Sequence, residues 1–438
     1  MSFYYAHGGV TILASDVATT MFEVNCADTI TGVAFAPAAV KFLWNGIQGV
    51  FDSASMNLQR GIGFAVSPTS RRCVSTFSQD AAATSNCGGV ARNDAVICTT
   101  DGAAGSDGEV DIASFDADGF TLVVDDALPQ NLAIWWEAWG GDEITVAAVG
   151  DIAEPAATGD VDYTVTGFDA VGLGDQVVIF GGCQSTAAVN TAASVDSGFM
   201  IGYATGAGAQ NIVLIGNSDD GSATMDTDGY GRGDECLGMI VVAGGTGVSA
   251  RAALTQFGVD NFRLNWAARA TTNRRYIFLA MKGGRWRVGD LTIDVTTLNA
   301  TAIVTGLPFY PKGLSAMTRW SAEQTSNSAA AEDRMSWGTG ARTNSVRSLY
   351  MRDTHGVDPS AIEVGQDASV ILYQGNGTAP VAGIDINAMN YDGFQLAVDD
   401  EFGGGSATTW VGYLVCGHVS PSPPDVVMAP LKQYRRAA

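Results

Sequence analysis

The sequence predicts an all-β protein made of three tandem β-sandwich domains of about 135 residues each. Three observations support this fold class: a composition that favours strands and tight turns, a pattern that recurs three times, and a series of short β-rich segments within each copy. No stretch of the chain combines a sustained 3.6-residue apolar period with helix caps.

The composition indicates several folded domains. A chain of 438 residues is too long for one ordinary core, and its hydrophobic content of 46% is ample for several. Charged residues make up only 16% of the chain, against roughly 25% in typical domains. Glycine, with 54 residues, fills part of this difference, which favours strands joined by tight turns.

The charge and the hydropathy of the chain each argue against one class of partner. The formal net charge is −23 and the sequence pI is about 4.3. Because no basic stripe is present to neutralise phosphates, we expect no nucleic-acid binding. No run approaches the ~20 apolar residues of a membrane span, so we expect no membrane insertion.

One acidic pattern recurs along the chain. FDADGFTLVVDD at 115–126 is echoed by FGVDNFRLNWAA at 257–268 and by MNYDGFQLAVDD at 389–400. The turn residues that correspond are Asp118 and Gly119, Asp260 and Asn261, and Asp392 and Gly393. Other landmarks recur in the same order, which predicts three modules related by an internal repeat.

We place the module boundaries where the composition changes. The first module, with an N-terminal extension, covers 1–152, the second covers 153–293 and the third covers 294–420. The tail at 421–438 opens with the proline-rich PSPPD and ends in the small basic cluster KQYRRAA. We interpret it as a solvated end that could also dock on a neighbouring molecule.

Each module has the pattern of a β-sandwich. In the first module the segments rich in β-branched and aromatic residues lie at 40–46, 60–66, 71–77, 95–100, 108–115, 120–126 and 132–141. Turn residues bound them, and several alternate apolar with polar positions. This spacing fits a jelly-roll or an immunoglobulin-like topology, and the sequence leaves the strand order open.

The acidic hairpin at 115–126 invites a comparison with a calcium loop. Asp126 comes too early to serve as the bidentate acid at position twelve of such a loop. Gly119 is replaced by Asn261 in the second copy, and these two residue types tolerate the positive φ of a tight turn. We therefore predict structural turns in which each aspartate bonds its own turn.

A second acidic segment, MDTDGYGRGDEC at 225–236, is the best remaining metal candidate. Its carboxylates could supply calcium ligands, with a solvated acidic turn as the alternative interpretation. The candidate ligands are Asp226, Asp228, Asp234 and Glu235. We predict no bound cofactor.

Catalytic signatures are weak, and we predict that the protein is not an enzyme. The histidines His7, His355 and His418 do not recur at equivalent positions, so no triad is indicated. Neither a phosphate-binding loop nor a dinucleotide fingerprint occurs. We therefore assign no catalytic residues.

The sequence contains seven cysteines, an odd number, and no CxxC motif. We expect free, mostly buried thiols, while one disulfide among Cys73, Cys87 and Cys98 is left open.

Three tryptophans close the first module. Trp135, Trp136 and Trp139 are matched by apolar residues in the other copies, which favours core or interdomain packing over a sugar-binding platform. The counterparts assigned from the sequence are Ile277, Phe278 and Met281, and then Val411, Gly412 and Val415. On this assignment aromatic rings do not persist through all three copies, and Trp136 and Trp139 share one strand face.

Three stretches of the first module carry a resemblance. The pattern F-x-P-x-x-V-x-F-L-W-N-G at 35–46, RGIGFAVSPTSRR at 60–72 and FDADGFTLVVDD at 115–126 resemble a domain of virion structural proteins from tailed bacteriophages and gene-transfer agents. The resemblance is strongest over 30–150. The second module departs most, because it lacks the proline that stands at Pro37 and Pro311.

The resemblance implies an assembly role and no catalytic residues. It implies a non-enzymatic virion component, first of all a tail fibre or baseplate part used in host adsorption, in which tandem sandwiches would form a stiff rod. The alternatives are a capsid decoration or head-spike protein and, in another class, a carbohydrate-binding or carbohydrate-active protein.

The expected partners are other virion proteins, copies of the chain itself in a homo-oligomer, and a host surface glycan or protein receptor. The expected location is the virion, with synthesis in the host cytoplasm, no signal peptide and release by lysis.

Overall fold

A computed structural model of the chain is entirely β where it is described. It describes residues 2–46, 54–55, 58–79, 86–101, 106–170, 174–184, 189–191, 197–217, 227–240, 248–270, 274–319, 332–342, 345–354, 361–367, 369–374, 380–400 and 408–418. These residues contain no helix, and accordingly none with the length and hydropathy to cross a bilayer. The predicted all-β class is confirmed.

Eleven strands of the described residues lie before residue 141, and all of them except the fourth build a first sandwich. They are β1 (Tyr4–Ile12), β2 (Met21–Asn25), β3 (Pro37–Asn45), β4 (Ala54–Ser55), β5 (Leu58–Ser67), β6 (Ser70–Ser78), β7 (Cys87–Arg92), β8 (Ile97–Thr100), β9 (Ser106–Asp116), β10 (Gly119–Asp126) and β11 (Leu132–Gly140). A six-stranded sheet has the order β1-β11-β3-β5-β6-β7, and a four-stranded sheet has the order β2-β10-β9-β8. We call this pair of sheets sandwich 1.

The next ten strands form sandwich 2. They are β12 (Val146–Ala153), β13 (Gly159–Thr164), β14 (Gln176–Cys183), β15 (Ser197–Gly206), β16 (Ala209–Asn217), β17 (Thr227–Arg232), β18 (Leu237–Ile240), β19 (Val248–Gly258), β20 (Asn261–Ala268) and β21 (Arg275–Lys282). The large sheet runs β12-β21-β14-β15-β16-β17, and the small sheet runs β13-β20-β19-β18.

The remaining strands form sandwich 3. They are β22 (Arg285–Asp294), β23 (Thr301–Val304), β24 (Tyr310–Thr318), β25 (Glu332–Arg342), β26 (Ser345–Thr354), β27 (Ala361–Asp367), β28 (Ile371–Gln374), β29 (Pro380–Asn390), β30 (Gly393–Asp400) and β31 (Thr408–His418). The large sheet runs β22-β31-β24-β25-β26-β27 and ends in β4 from the first part of the chain, and the small sheet runs β23-β30-β29-β28.

The three sandwiches therefore share one strand order apart from the added β4. The first strand of each lies beside the last, and the second strand begins the small sheet. The predicted boundaries at 152/153 and 293/294 fall within or at the end of β12 and β22. Sheet membership changes earlier, between Gly140 and Val146 and between Lys282 and Arg285.

Equivalent aromatic residues mark the same position in each sandwich. A phenylalanine of the hairpin in the small sheet packs edge-to-face on a ring of the last strand of the large sheet. The pairs are Phe120 with Trp136 (centroids 5.5 Å apart), Phe262 with Phe278 (5.2 Å) and Phe394 with Tyr413 (5.1 Å). Each last-strand ring is opposed on the first strand by a glycine. These glycines are Gly8, Gly150 and Gly289.

The last strand of each large sheet is buried on both faces along most of its length. In β11, β21 and β31 alternate residues enter the interior of their own sandwich, and the others enter one apolar cluster shared by all three sandwiches. We call this shared cluster the central core. Its members on these strands are Trp135, Trp139, Ile277, Leu279, Met281, Trp410, Leu414 and Cys416. Burying each large apolar side chain stabilises the assembly by roughly 1.5–3 kcal/mol.

The expected rod of sandwiches in a row is wrong, because each sandwich contacts both others. Arg72 of sandwich 1 bonds Asp151 of sandwich 2 at 2.8 Å. Asn211 of sandwich 2 donates to the Gly289 carbonyl of sandwich 3 at 2.8 Å. Lys312 of sandwich 3 forms an ion pair with Asp28 of sandwich 1 at 3.1 Å. An apolar outer face on each large sheet drives this closure, since a row would leave it exposed.

The N-terminal extension contains two strands that the sequence pattern does not reveal. β1 pairs with β11, and β2 pairs with β10. Gly8 and Gly9 interrupt the apolar pattern of β1, and a Cβ at either position would lie within 2.6 Å of the Trp136 or Trp135 ring. The glycines therefore make room for the indoles, which explains their presence inside a strand.

Candidate functional site

The six predicted turn residues lie in three two-residue hairpins. Asp116 pairs with Gly119, Gly258 with Asn261, and Asn390 with Gly393. The expected positive φ at the two glycines is wrong, because neither Gly119 nor Gly393 lies in the left-handed region. A Cβ at these positions would lie 1.9 Å or less from a carbonyl oxygen of the neighbouring strand. The positive φ falls instead on Asp260, at 58°.

Two of the three hairpin aspartates join their turn to a neighbouring loop. The Asp260 carboxylate accepts a hydrogen bond from the N–H of Gly167 at 2.6 Å, and Asp392 accepts one from Gly306 at 3.3 Å. Gly167 and Gly306 have φ of 95° and 77° and belong to the recurring V-T-G tripeptide. The expectation that the side chain bonds its own turn is therefore wrong for these two, which tie two loops together.

Two carboxylates of the acidic segment 225–236, those of Asp234 and Glu235, bind arginine and tyrosine side chains. Asp234 forms an ion pair with Arg232, and Glu235 bonds Arg251 and Tyr230, each at 3.1 Å. Asp228 lies within β17, and Asp226 lies outside the described residues. In the described part of the chain no three His, Cys, Asp or Glu residues converge as metal ligands.

The histidines and cysteines are dispersed. His7 lies on β1 against the Tyr5 ring (centroids 5.8 Å apart), His418 ends β31, and His355 lies outside the described residues. All seven cysteines are buried free thiols. The Sγ atoms of Cys73 and Cys98 are 3.3 Å apart and not bonded to each other covalently.

The tryptophan cluster divides between two cores. Trp136 enters the interior of sandwich 1, whereas Trp135 and Trp139 enter the central core. The expectation that Trp136 and Trp139 share a face is wrong, because residues three apart on a strand point to opposite faces. The register also corrects the counterparts in sandwich 3. They are Gly412, Tyr413 and Cys416, so an aromatic ring persists at the position of Trp136.

A buried polar network occupies the centre of the molecule, where all three sandwiches meet. Lys41 forms an ion pair with Glu137, and their side chains are 1% and 2% exposed. The Glu137 carboxylate also accepts hydrogen bonds from Tyr5 (2.9 Å), Ser315 (2.7 Å) and Thr339 (2.9 Å). Sandwich 1 thus supplies the charges, and sandwich 3 supplies two hydroxyl donors.

The surroundings keep both members of this pair charged. Burial alone would raise the pKa of Glu137, but Lys41 and the hydroxyl donors outweigh burial and hold that pKa below its ordinary value. Burial alone would lower the pKa of Lys41, but Glu137 more than compensates and raises it. This carboxylate is shielded from solvent, and its hydrogen bonds to Ser315 and Thr339 hold sandwich 1 against sandwich 3.

A second buried contact joins the sandwiches at Arg60. Its guanidinium donates to Thr76 Oγ1 at 2.8 Å within sandwich 1 and to Asn217 Oδ1 at 3.2 Å in sandwich 2. It also lies 5.3 Å from the centre of the Phe199 ring and contacts Met351 of sandwich 3. Planar donors of this kind fix the relative orientation of the surfaces they join.

An open cleft of about 310 Å³ lies at one end of sandwich 3. It is lined by Arg285 and Arg287 on β22, by the segment 304–309 after β23, and by Tyr413 on β31, with Gly174 of sandwich 2 beside them. Burial raises the pKa of Tyr413, so its phenol is neutral at pH 7. The sequence pattern does not single out this cleft, because its residues come from four separate segments.

Comparison with known proteins adds no family. No protein-family model matches the chain, and no curated protein matches it. Among solved structures the chain is compared with OccAB3 from Acinetobacter baumannii, at 9% identity over 86% of this chain and 98% of that chain. The TM-score of 0.08 is too low to carry an argument.

Proposed function

We propose that the protein is a non-enzymatic structural component of a tailed-phage virion. The observation that carries this proposal is the closed arrangement of three sandwiches of like topology around one central core. The charged pair of Lys41 and Glu137 is buried and joins sandwich 1 to sandwich 3 through Ser315. Such a use of buried charge fits a rigid building block.

The geometry favours capsid decoration or a head spike over a tail fibre or baseplate part. A tail fibre was expected from a rod, but the sandwiches surround a common centre. A molecule that presents one fold three times around that centre suits a place where three like subunits meet. Other virion proteins and further copies of the chain are the proposed partners, and the virion, released by lysis, is the proposed location.

Cryo-EM of intact particles from a phage that encodes this chain tests the proposal. We expect three-lobed density on the head, seated where three capsid subunits meet. Density at the tail tip would overturn the decoration role and restore host adsorption. Absence of the chain from purified particles would overturn the virion role altogether.

Particles that lack this gene provide the matched control. Their heads should lack the three-lobed density and should open at a lower temperature than wild-type heads, as followed by release of DNA. Equal thermal resistance of the two kinds of head would argue against reinforcement as the function.

A further inference from the structure

We propose that the cleft of sandwich 3 binds an acidic sugar residue such as a hexuronate. This inference goes beyond the virion role and does not depend on it. The cleft volume of about 310 Å³ lies at the lower end of the ~300–1,000 Å³ range of small-ligand sites. It is therefore large enough for one sugar ring rather than for a folded partner.

The two arginines give the cleft its charge selectivity. Arg285 and Arg287 lie two residues apart on β22, so both side chains project from the same face of the strand. Arg285 donates to the Gly284 carbonyl at 3.0 Å, and within the described residues neither guanidinium forms an ion pair with a carboxylate. In a chain of net charge −23, two such guanidinium groups at one cleft are a site for an anion.

The other sandwiches show that these arginines are not required by the fold. Counting back four and two residues from Gly8, Gly150 and Gly289 gives the equivalent positions. They hold Tyr4 and Ala6 in sandwich 1, Val146 and Ala148 in sandwich 2, and Arg285 and Arg287 in sandwich 3. The same fold thus forms with apolar residues at these places.

Sandwich 1 also shows how the corresponding place is filled. There the Tyr4 ring stacks on Phe35 with centroids 5.4 Å apart and an interplanar angle of 26°. In sandwich 3 the ring is replaced by an arginine, and Phe309 and Tyr413 line the open cleft. Aromatic walls beside a carboxylate-binding pair match an acidic sugar, which combines an apolar ring face with one negative charge.

Binding of D-glucuronate to the full chain, measured by isothermal calorimetry and saturation-transfer NMR, tests the proposal. We expect saturable binding of glucuronate and at least tenfold weaker binding of D-glucose. Arg285→Gln and Arg287→Gln should each weaken glucuronate binding about tenfold, as loss of a charged hydrogen bond does. Arg269→Gln, at an exposed arginine outside the cleft, is the matched control and should bind as wild type does.

A filled variant extends the test. Arg285→Tyr combined with Arg287→Ala installs the residues of sandwich 1 and should abolish glucuronate binding while the thermal midpoint stays unchanged. Several results would overturn the proposal. They are glucose binding equal to glucuronate binding, inorganic sulfate binding as tightly as glucuronate, no binding of glucuronate, or full binding by the arginine variants.

Discussion

Lys41 and Glu137 lie opposite each other on β3 and β11 and form an ion pair that is almost completely buried. The equivalent pair in sandwich 2, also opposed on neighbouring strands, is Ile179 and Leu279. One sandwich therefore places a charged pair where another places two apolar side chains. The pair is accordingly a means of orienting sandwich 1 against sandwich 3.

Removal of one partner should be far more damaging than removal of both. Glu137→Leu leaves the Lys41 ammonium buried without its counter-ion and should lower the free energy of unfolding by about 3–5 kcal/mol. Lys41→Ile combined with Glu137→Leu installs the residues of sandwich 2 and should recover most of that loss. Guanidinium denaturation, followed by tryptophan fluorescence, measures the free energy of unfolding of the single and the double variant. A double variant as unstable as the single one would contradict this account.

His7 should make the protein sensitive to mild acid. Burial, aided by the Arg347 cation and opposed by Glu137, lowers the pKa of His7 to about 4, below its ordinary value of 6.5. Between these values the unfolded chain binds a proton that the folded chain does not, so stability falls as the pH drops from about 6.5 to about 4. The slope should reach about 1.4 kcal/mol per pH unit.

His7→Gln removes this group and should flatten the dependence. The free energy of unfolding of both proteins should be measured at several values between pH 5 and 7, where Glu137 stays ionised because its pKa is lowered. Equal slopes for wild type and variant would show that another group controls the acid response.

Gly202 lies too close to a neighbouring backbone carbonyl to accept a side chain. A Cβ there would lie 1.8 Å from the Cys236 carbonyl oxygen, whereas a Cβ on Gly206, later in the same strand, meets nothing within 4 Å. Gly202→Ala should cost at least about 2 kcal/mol of stability, and Gly206→Ala should change it by less than about 0.5 kcal/mol. The thermal midpoints of the two variants test this prediction. Similar midpoints would show that the Cys236 carbonyl does not exclude a side chain at position 202.

The central core makes the sandwiches depend on one another. Sandwich 2 produced alone, as residues 142–284, would expose the apolar outer face of its large sheet, including Ile201, Val213 and Leu279. We expect it to self-associate, since soluble monomers rarely expose an apolar patch of this size. Analytical ultracentrifugation of the excised unit and of the intact chain tests this. A folded, monomeric excised sandwich would show that the shared core is dispensable.

The sequence by itself determined the local features of this protein. The all-β class, seven strands of sandwich 1 and the three hairpins around Asp118, Asp260 and Asp392 were predictable. Strand propensity and turn chemistry act over a few residues, and the recurring hairpin leaves a readable pattern. The strand β1 was missed because Gly8 and Gly9, placed there to accommodate distant indoles, break that local pattern.

Only the tertiary structure decided how the sandwiches meet. β11 is buried along its whole length, so its sequence shows no alternation that could separate Trp136 from Trp135 and Trp139. Lys41 and Glu137 are 96 residues apart, and nothing near either predicts its partner. The central core and the cleft of sandwich 3 likewise join separate segments. Their formation depends on which faces remain apolar after each sandwich has folded, and that is a property of the assembled surface.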